Sequence, residues 1–176
     1  MKTSAPNSGA PAHRGHRWQD YLPLLVLVGV TVLAASARPH DAMGETGAAR
    51  WMHDFMGLFL VIFAMLKLFD LPGFADGFQM YDLLAKPFRP YALVYPFIEL
   101  ALGLGYLAAW HFNALYPATV IVTVFSALGV IASLRKGLDV HCACMGHILK
   151  VPLSSVALVE DLGMAAMADV MWLMPR

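Results

Sequence analysis

Residues 91–134 read YALVYPFIELALGLGYLAAWHFNALYPATVIVTVFSALGVIASL, and the hydropathy of this stretch decides the fold. It contains two apolar runs, 91–110 and 115–134, parted only by His111, Phe112, Asn113 and Ala114. Each run has about the ~20 residues that carry a helix across ~30 Å of hydrocarbon. Backbone amides cannot stay unpaired in lipid, so runs of this kind are expected to be helical. Four residues reach at most ~14 Å, less than the bilayer core, so the two helices must be antiparallel neighbours.

Working outward, the rest of the chain has the same character. Apolar residues make up 59% of the sequence and charged residues 14%, with a formal net charge of zero, against about 45–50% and 25% in soluble domains. Further apolar runs lie at 21–37, 51–71 and 151–173. The expected fold is therefore all-α, a polytopic integral membrane helical bundle with five transmembrane helices at 21–37, 51–71, 91–110, 115–134 and 151–173. Residues 1–20 mix Pro, Ser, Gly and His with Lys2, Arg14 and Arg17 and are expected to be a disordered tail. Residues 21–176 are expected to form one transmembrane domain in contact with membrane lipid. Arg38-Pro39-His40 follows the first run where small residues would mark a cleavage site, which favours a retained span over a signal peptide. The connector 72–90 carries Gly, Asp and Pro and reads as a long loop, with Pro87 and Pro90 breaking the chain before the third span.

Charge placement gives an orientation. With a cytoplasmic N-terminus, the inner segments carry Lys2, Arg14, Arg17, Lys86, Arg89, Arg135, Lys136 and Lys150, and the outer ones only Arg38, Arg50 and Arg176. The positive-inside rule therefore places residues 135–150 in the cytoplasm and the protein in the cell inner membrane. A balanced overall charge supplies no attraction for nucleic acid, and there is no glycine-rich nucleotide loop in the sequence.

Both cysteines of the chain fall in that cytoplasmic segment, in His141-Cys142-Ala143-Cys144-Met145-Gly146-His147. The cytosol keeps thiols reduced, so Cys142 and Cys144 read as free thiols, transient redox partners or metal ligands. As a soft-metal site the two thiolates would bind Cu(I), with Met145 and His141 or His147 assisting. On the outer side His40, Asp41, Met43, His53 and Asp54 are a weaker metal candidate, since His and Asp in an exposed loop are usually solvated.

Ionisable residues inside the spans are the other informative group: Lys67, Glu99, Glu160 and Asp161. Each costs ~2.5–3.5 kcal/mol at a helix centre, so pairing or access to water is expected. Lys67 lies near the inner end of a descending helix and leans toward the bilayer centre, whereas Glu99 lies ~14 Å up an ascending one and leans back. Their heads meet at one depth, with Glu160 and Asp161 at about the same level. The expectation is one polar cluster beneath the cysteine loop with Lys67 and Glu99 paired. Glu160, Met164 and Met167 share a helical face at i, i+4 and i+7, which is more often packing than a metal path.

FAMLKLFD at residues 63–70, Gly73-Phe74-Ala75, Tyr81-Asp82-Leu83-Leu84 and YPFIELALG at residues 95–103 resemble the DoxX-like membrane proteins, specifically the branch of the methylamine utilisation protein MauE. Cys142-Ala143-Cys144-Met145-Gly146, then Lys150-Val151-Pro152 and Val159-Glu160-Asp161, is similar to the redox-associated members of that branch, and the resemblance covers residues 52–176. It implies a redox-associated integral membrane protein assisting maturation or disulfide formation of a partner, with Cys142 and Cys144 as the thiol pair and Lys67 with Glu99 as the intramembrane polar positions. Membrane disulfide relays use two cysteine pairs and this chain has one, so a thioredoxin-like partner or a quinone would supply the missing step.

Three functions stay open. In the first, Cys142 and Cys144 carry out thiol-disulfide exchange, their pKa lowered by Arg135, Lys136 and Lys150. The second is Cu(I) binding or transport at the same CxC site, with a metal-chaperone protein as partner. The third is a membrane assembly factor without catalysis, so the residues leave enzymatic activity undecided.

Overall fold

The computed structural model describes residues 22–38, 47–82, 85–135 and 153–173, and within them every regular element is an α-helix. In chain order these are α1 (Leu22–Ala37), α2 (Gly47–Phe69), α3 (Leu71–Tyr81), α4 (Arg89–Leu107), α5 (Phe112–Arg135) and α6 (Leu153–Leu173). Helices α2, α4 and α5 are long and apolar enough to cross a membrane, and α1 is a shorter apolar helix. Helix α6, with 21 residues, rises ~31 Å and carries Glu160, Asp161 and Asp169. The five runs read from hydropathy thus correspond to α1, α2, α4, α5 and α6, and the protein is a polytopic helical membrane protein. The expected tail at 1–20 and the cysteine segment at 141–147 lie outside the described residues.

Two features differ from the sequence reading. The connector 72–90 contains α3, an 11-residue helix. Asp70 caps it by accepting from the Gly73 amide at 3.1 Å, and Pro72 stands in its first turn, where a missing amide costs nothing. Phe74, Ala75 and Phe78 then present an apolar face that is buried against the bundle. The Gly, Asp and Pro that read as a loop are, in large part, a helix start signal.

The second difference is the turn between α4 and α5. It has the expected four residues but lies three residues earlier than the apolar runs imply: Ala109 and His111 adopt positive φ of 53° and 44°, closing α4 at Leu107. The Trp110 amide donates to the Gly105 carbonyl at 3.0 Å and the Ala109 amide to Tyr106 at 3.2 Å, which satisfies the carbonyls left open at the helix end. The connector is therefore residues 108–111.

Packing fixes the helix directions. Lys67 meets Glu99, Val61 faces Gly103 and Gly57 faces Leu107, so residue numbers fall along α4 as they rise along α2. The contact is tight: a Cβ on Gly103 would come within 2.9 Å of the Val61 amide nitrogen and the Gly57 carbonyl. Tyr106 against Thr119 sets α5 antiparallel to α4. Helix α1 packs on α2, α3 on α4 and α5, and α6 chiefly on α5. The core between them is aromatic, with Phe59 stacked on Phe63 at 4.3 Å and Phe78 against Tyr95 at 4.7 Å. Outward, Leu33, Phe69, Ile121, Val159 and Trp172 are exposed, as a surface solvated by lipid requires.

Candidate intramembrane polar site

Tyr91, Tyr95 and Glu99 recur every four residues and so share one face of α4. That face turns toward the last two turns of α2 and toward α5. Tyr95 and Glu99 are buried, and so is Lys67 on α2. The Lys67 Nζ donates to both carboxylate oxygens of Glu99, and it stands 5.2 Å from the Tyr95 ring and 5.7 Å from the Phe74 ring. Carboxylate and aromatic faces together hold an ammonium in place of water.

The pair is the head of a longer chain. Tyr95 neighbours both Glu99 and Ser126 of α5, and Ser126 neighbours Asp161 of α6, so hydroxyl and carboxylate groups adjoin one another across these helices. Asp161 is 8% exposed, and its Oδ2 has no hydrogen-bond partner among the described residues. Four helices thus contribute five polar side chains, two of them from α4, to a line through the apolar interior. Asp82, at the end of α3, is fully buried beside them; its carboxylate accepts from the Ala85 amide at 2.8 Å.

The structure therefore brings Lys67, Glu99 and Asp161 together. Glu160 is half-buried and makes an interaction of its own; one residue earlier on the helix, it stands about 100° around α6 from Asp161. Met164 is buried in the core and Met167 packs against it, so both act as packing residues. The sequence reading gives no role to Tyr91, Tyr95, Ser126 or Asp82, although Tyr95 and Asp82 stand in the stretches that carry the family resemblance. The four-residue repeat ending at Glu99 signals the two tyrosines; nothing local marks Ser126 or Asp82. Ser126 lies nine residues before the end of α5 and Asp161 eight after the start of α6, so ~12–14 Å of helix separates the site from the segment bearing Cys142, Cys144, Met145 and His147.

A second polar group sits at the other end of α2, ~21 Å away by helix rise. His53 is not solvated, as its place near a loop suggested. It is buried, bonded through Nε2 to the Tyr116 hydroxyl at 2.6 Å and stacked on Phe112 at 4.0 Å. Asp54 is likewise buried and faces Arg38 at 3.0 Å and Arg50 at 3.5 Å. Each thus has protein partners in place of water. Among the described residues no three His, Cys, Asp or Glu side chains are grouped to hold a metal ion; His40, Asp41 and Met43 lie outside them.

No curated protein and no solved structure matches the chain. The family model for methylamine utilisation protein MauE matches residues 46–174, which takes in α2 through α6 and the site they enclose. On that match, and on a bundle whose helices run long and apolar enough to cross a membrane, this chain belongs to the MauE family of membrane proteins.

Proposed function

We propose that the protein is a redox-associated membrane protein that exchanges thiols with a partner through Cys142 and Cys144 in the course of that partner's maturation. Membership of the MauE family carries this reading, and the placement of both cysteines of the chain one residue apart between α5 and α6 supports it. The thiolate of one cysteine attacks a partner disulfide and releases one partner thiolate. The second cysteine then attacks the mixed disulfide, releasing the other. Two cysteines here are oxidised to a disulfide while the partner's disulfide is reduced to two thiols, and the reverse sequence oxidises a partner dithiol. A thioredoxin-like protein is the class of partner that this chemistry fits.

In this reading the protein resides in the inner membrane with the N-terminus and residues 135–150 cytoplasmic. Arg135, Lys136 and Lys150 flank the cysteines and favour their thiolates. The test is capture: Cys142→Ser or Cys144→Ser leaves a single thiol, which should accumulate a mixed disulfide with the partner that reducing agent dissolves. No mixed species from either variant, together with stoichiometric copper on the purified protein that both substitutions remove, would replace exchange by Cu(I) binding. A double Cys→Ser variant with full activity in the cell would leave a scaffold role.

A further inference from the structure

The polar line between α2 and α6 has an imbalance of charge that the thiol reaction does not use. Lys67 donates to both oxygens of Glu99, so the ammonium and that carboxylate neutralise one another. Asp161 is a second carboxylate at the same site. The groups facing it are Ser126 from α5, Lys67 from α2, Glu99 from α4 and Asp82 at the end of α3. Asp82 and Glu99 add negative charge, and Lys67 is the single cation among the described groups around Asp161. An ionised carboxylate taken from water into such a place costs several kcal/mol unless it is paired. Asp161 Oδ2 has no hydrogen-bond partner among the described residues, which suits a carboxylic acid better than an anion seeking donors.

We propose that Asp161 is a proton-binding site inside the bundle, and that Ser126, Tyr95 and Glu99 form the path along which its proton exchanges. Of the three carboxylates, Asp82 accepts from the Ala85 amide, and Glu99 and Asp161 share one ammonium and one proton. In the transfer, Asp161 gives its proton to the Ser126 oxygen as Ser126 passes its own to Tyr95, and Tyr95 passes its own to Glu99. The hydroxyls are re-formed, Glu99 ends as the acid and Asp161 as the anion, and the net charge of the site is unchanged. A proton thus crosses from α6 to α4 without an ion pair being carried through lipid. Hydroxyl side chains serve such a path because each is donor and acceptor at once.

Charge counting makes the test specific. The full chain in lipid nanodiscs should show, at neutral pH, an infrared carbonyl band of a protonated carboxylic acid that disappears in Asp161→Asn. It should also disappear in Glu99→Gln, because Lys67 is then released to hold Asp161 as an anion. Lys67→Met should act in the opposite direction and raise the band about twofold, since two carboxylates then lack a counter-charge. An Asp161→Asn spectrum identical to the parent's, or a Lys67→Met band no stronger than the parent's, would overturn the site. Should Asp161→Asn fail to fold, Asp161→Glu must keep the band and shift its frequency; an unshifted band counts against the proposal. Exchange of the band in D2O should slow in Ser126→Ala by roughly tenfold, the effect of about one lost hydrogen bond, and an unchanged rate would remove the path. Neither measurement involves Cys142 or Cys144, so thiol exchange can fail while the proton site stands, and the converse.

Discussion

Lys67 and Glu99 show how one contact can be strongly required without being a net source of stability. Both are buried and each satisfies the other, so removing one leaves a charge without its counterpart. Glu99→Gln should therefore destabilise the fold, but by less than the ~3–5 kcal/mol of a buried charge left wholly unpaired, because Lys67 can turn to Asp161; the shift of a denaturation curve in detergent measures it. The paired change Lys67→Met with Glu99→Leu should recover most of that loss, because the desolvation of both ions is then avoided. A double variant as unstable as Glu99→Gln would show that the pair contributes more than it costs. At Asp70 the stakes are smaller: its carboxylate caps α3 through the Gly73 amide, and Asp70→Ala should lose ~1 kcal/mol.

Among the elements, the approach of α2 to α4 depends on having no side chain at two positions. A Cβ at Gly103 would strike backbone atoms of Val61 and Gly57, at 2.9 Å each, so the helices themselves would have to part. At Gly57 the nearest atom is the Leu107 side chain at 2.8 Å, with the Gly103 carbonyl at 3.0 Å, and at Gly105 the near atoms all belong to Leu115. Side chains can turn aside where backbone cannot. The cost of substitution by Ala should thus rank Gly103 above Gly57 above Gly105, with Gly103→Ala at ~1–3 kcal/mol. Equal effects at all three, read from thermal unfolding, would contradict this packing. Separation of α2 from α4 should also loosen the grip of Lys67 on Glu99 one turn further along, so Gly103→Ala should weaken the site as well as the fold.

For the whole molecule, orientation is the property with the most direct consequence. In the proposed orientation Lys86, Arg89, Arg135, Lys136 and Lys150 share the inner side, and the cysteine segment lies with them. An impermeant thiol reagent should leave Cys142 unmodified in intact cells and label it after permeabilisation; labelling from outside would invert the bundle. Hydropathy by itself determined the helical class, the five apolar helices and the hairpin of α4 and α5, because a bilayer forces every long apolar run to satisfy its own backbone. Depth along each helix was legible too, so Lys67, Glu99 and Asp161 could be set at one level from rise per residue alone. Rotation about the helix axes was not. Which of Glu160 and Asp161 turns inward, that Tyr95 and Ser126 join them, and that His53 and Asp54 are buried among Tyr116, Phe112 and two arginines all depend on how α2, α4, α5 and α6 pack. Lipid accepts any apolar face of these helices equally well, so hydropathy cannot select the inward one. The close approach at Gly57 and Gly103 and the polar groups that must find partners out of water make that selection, and they act only once the helices meet.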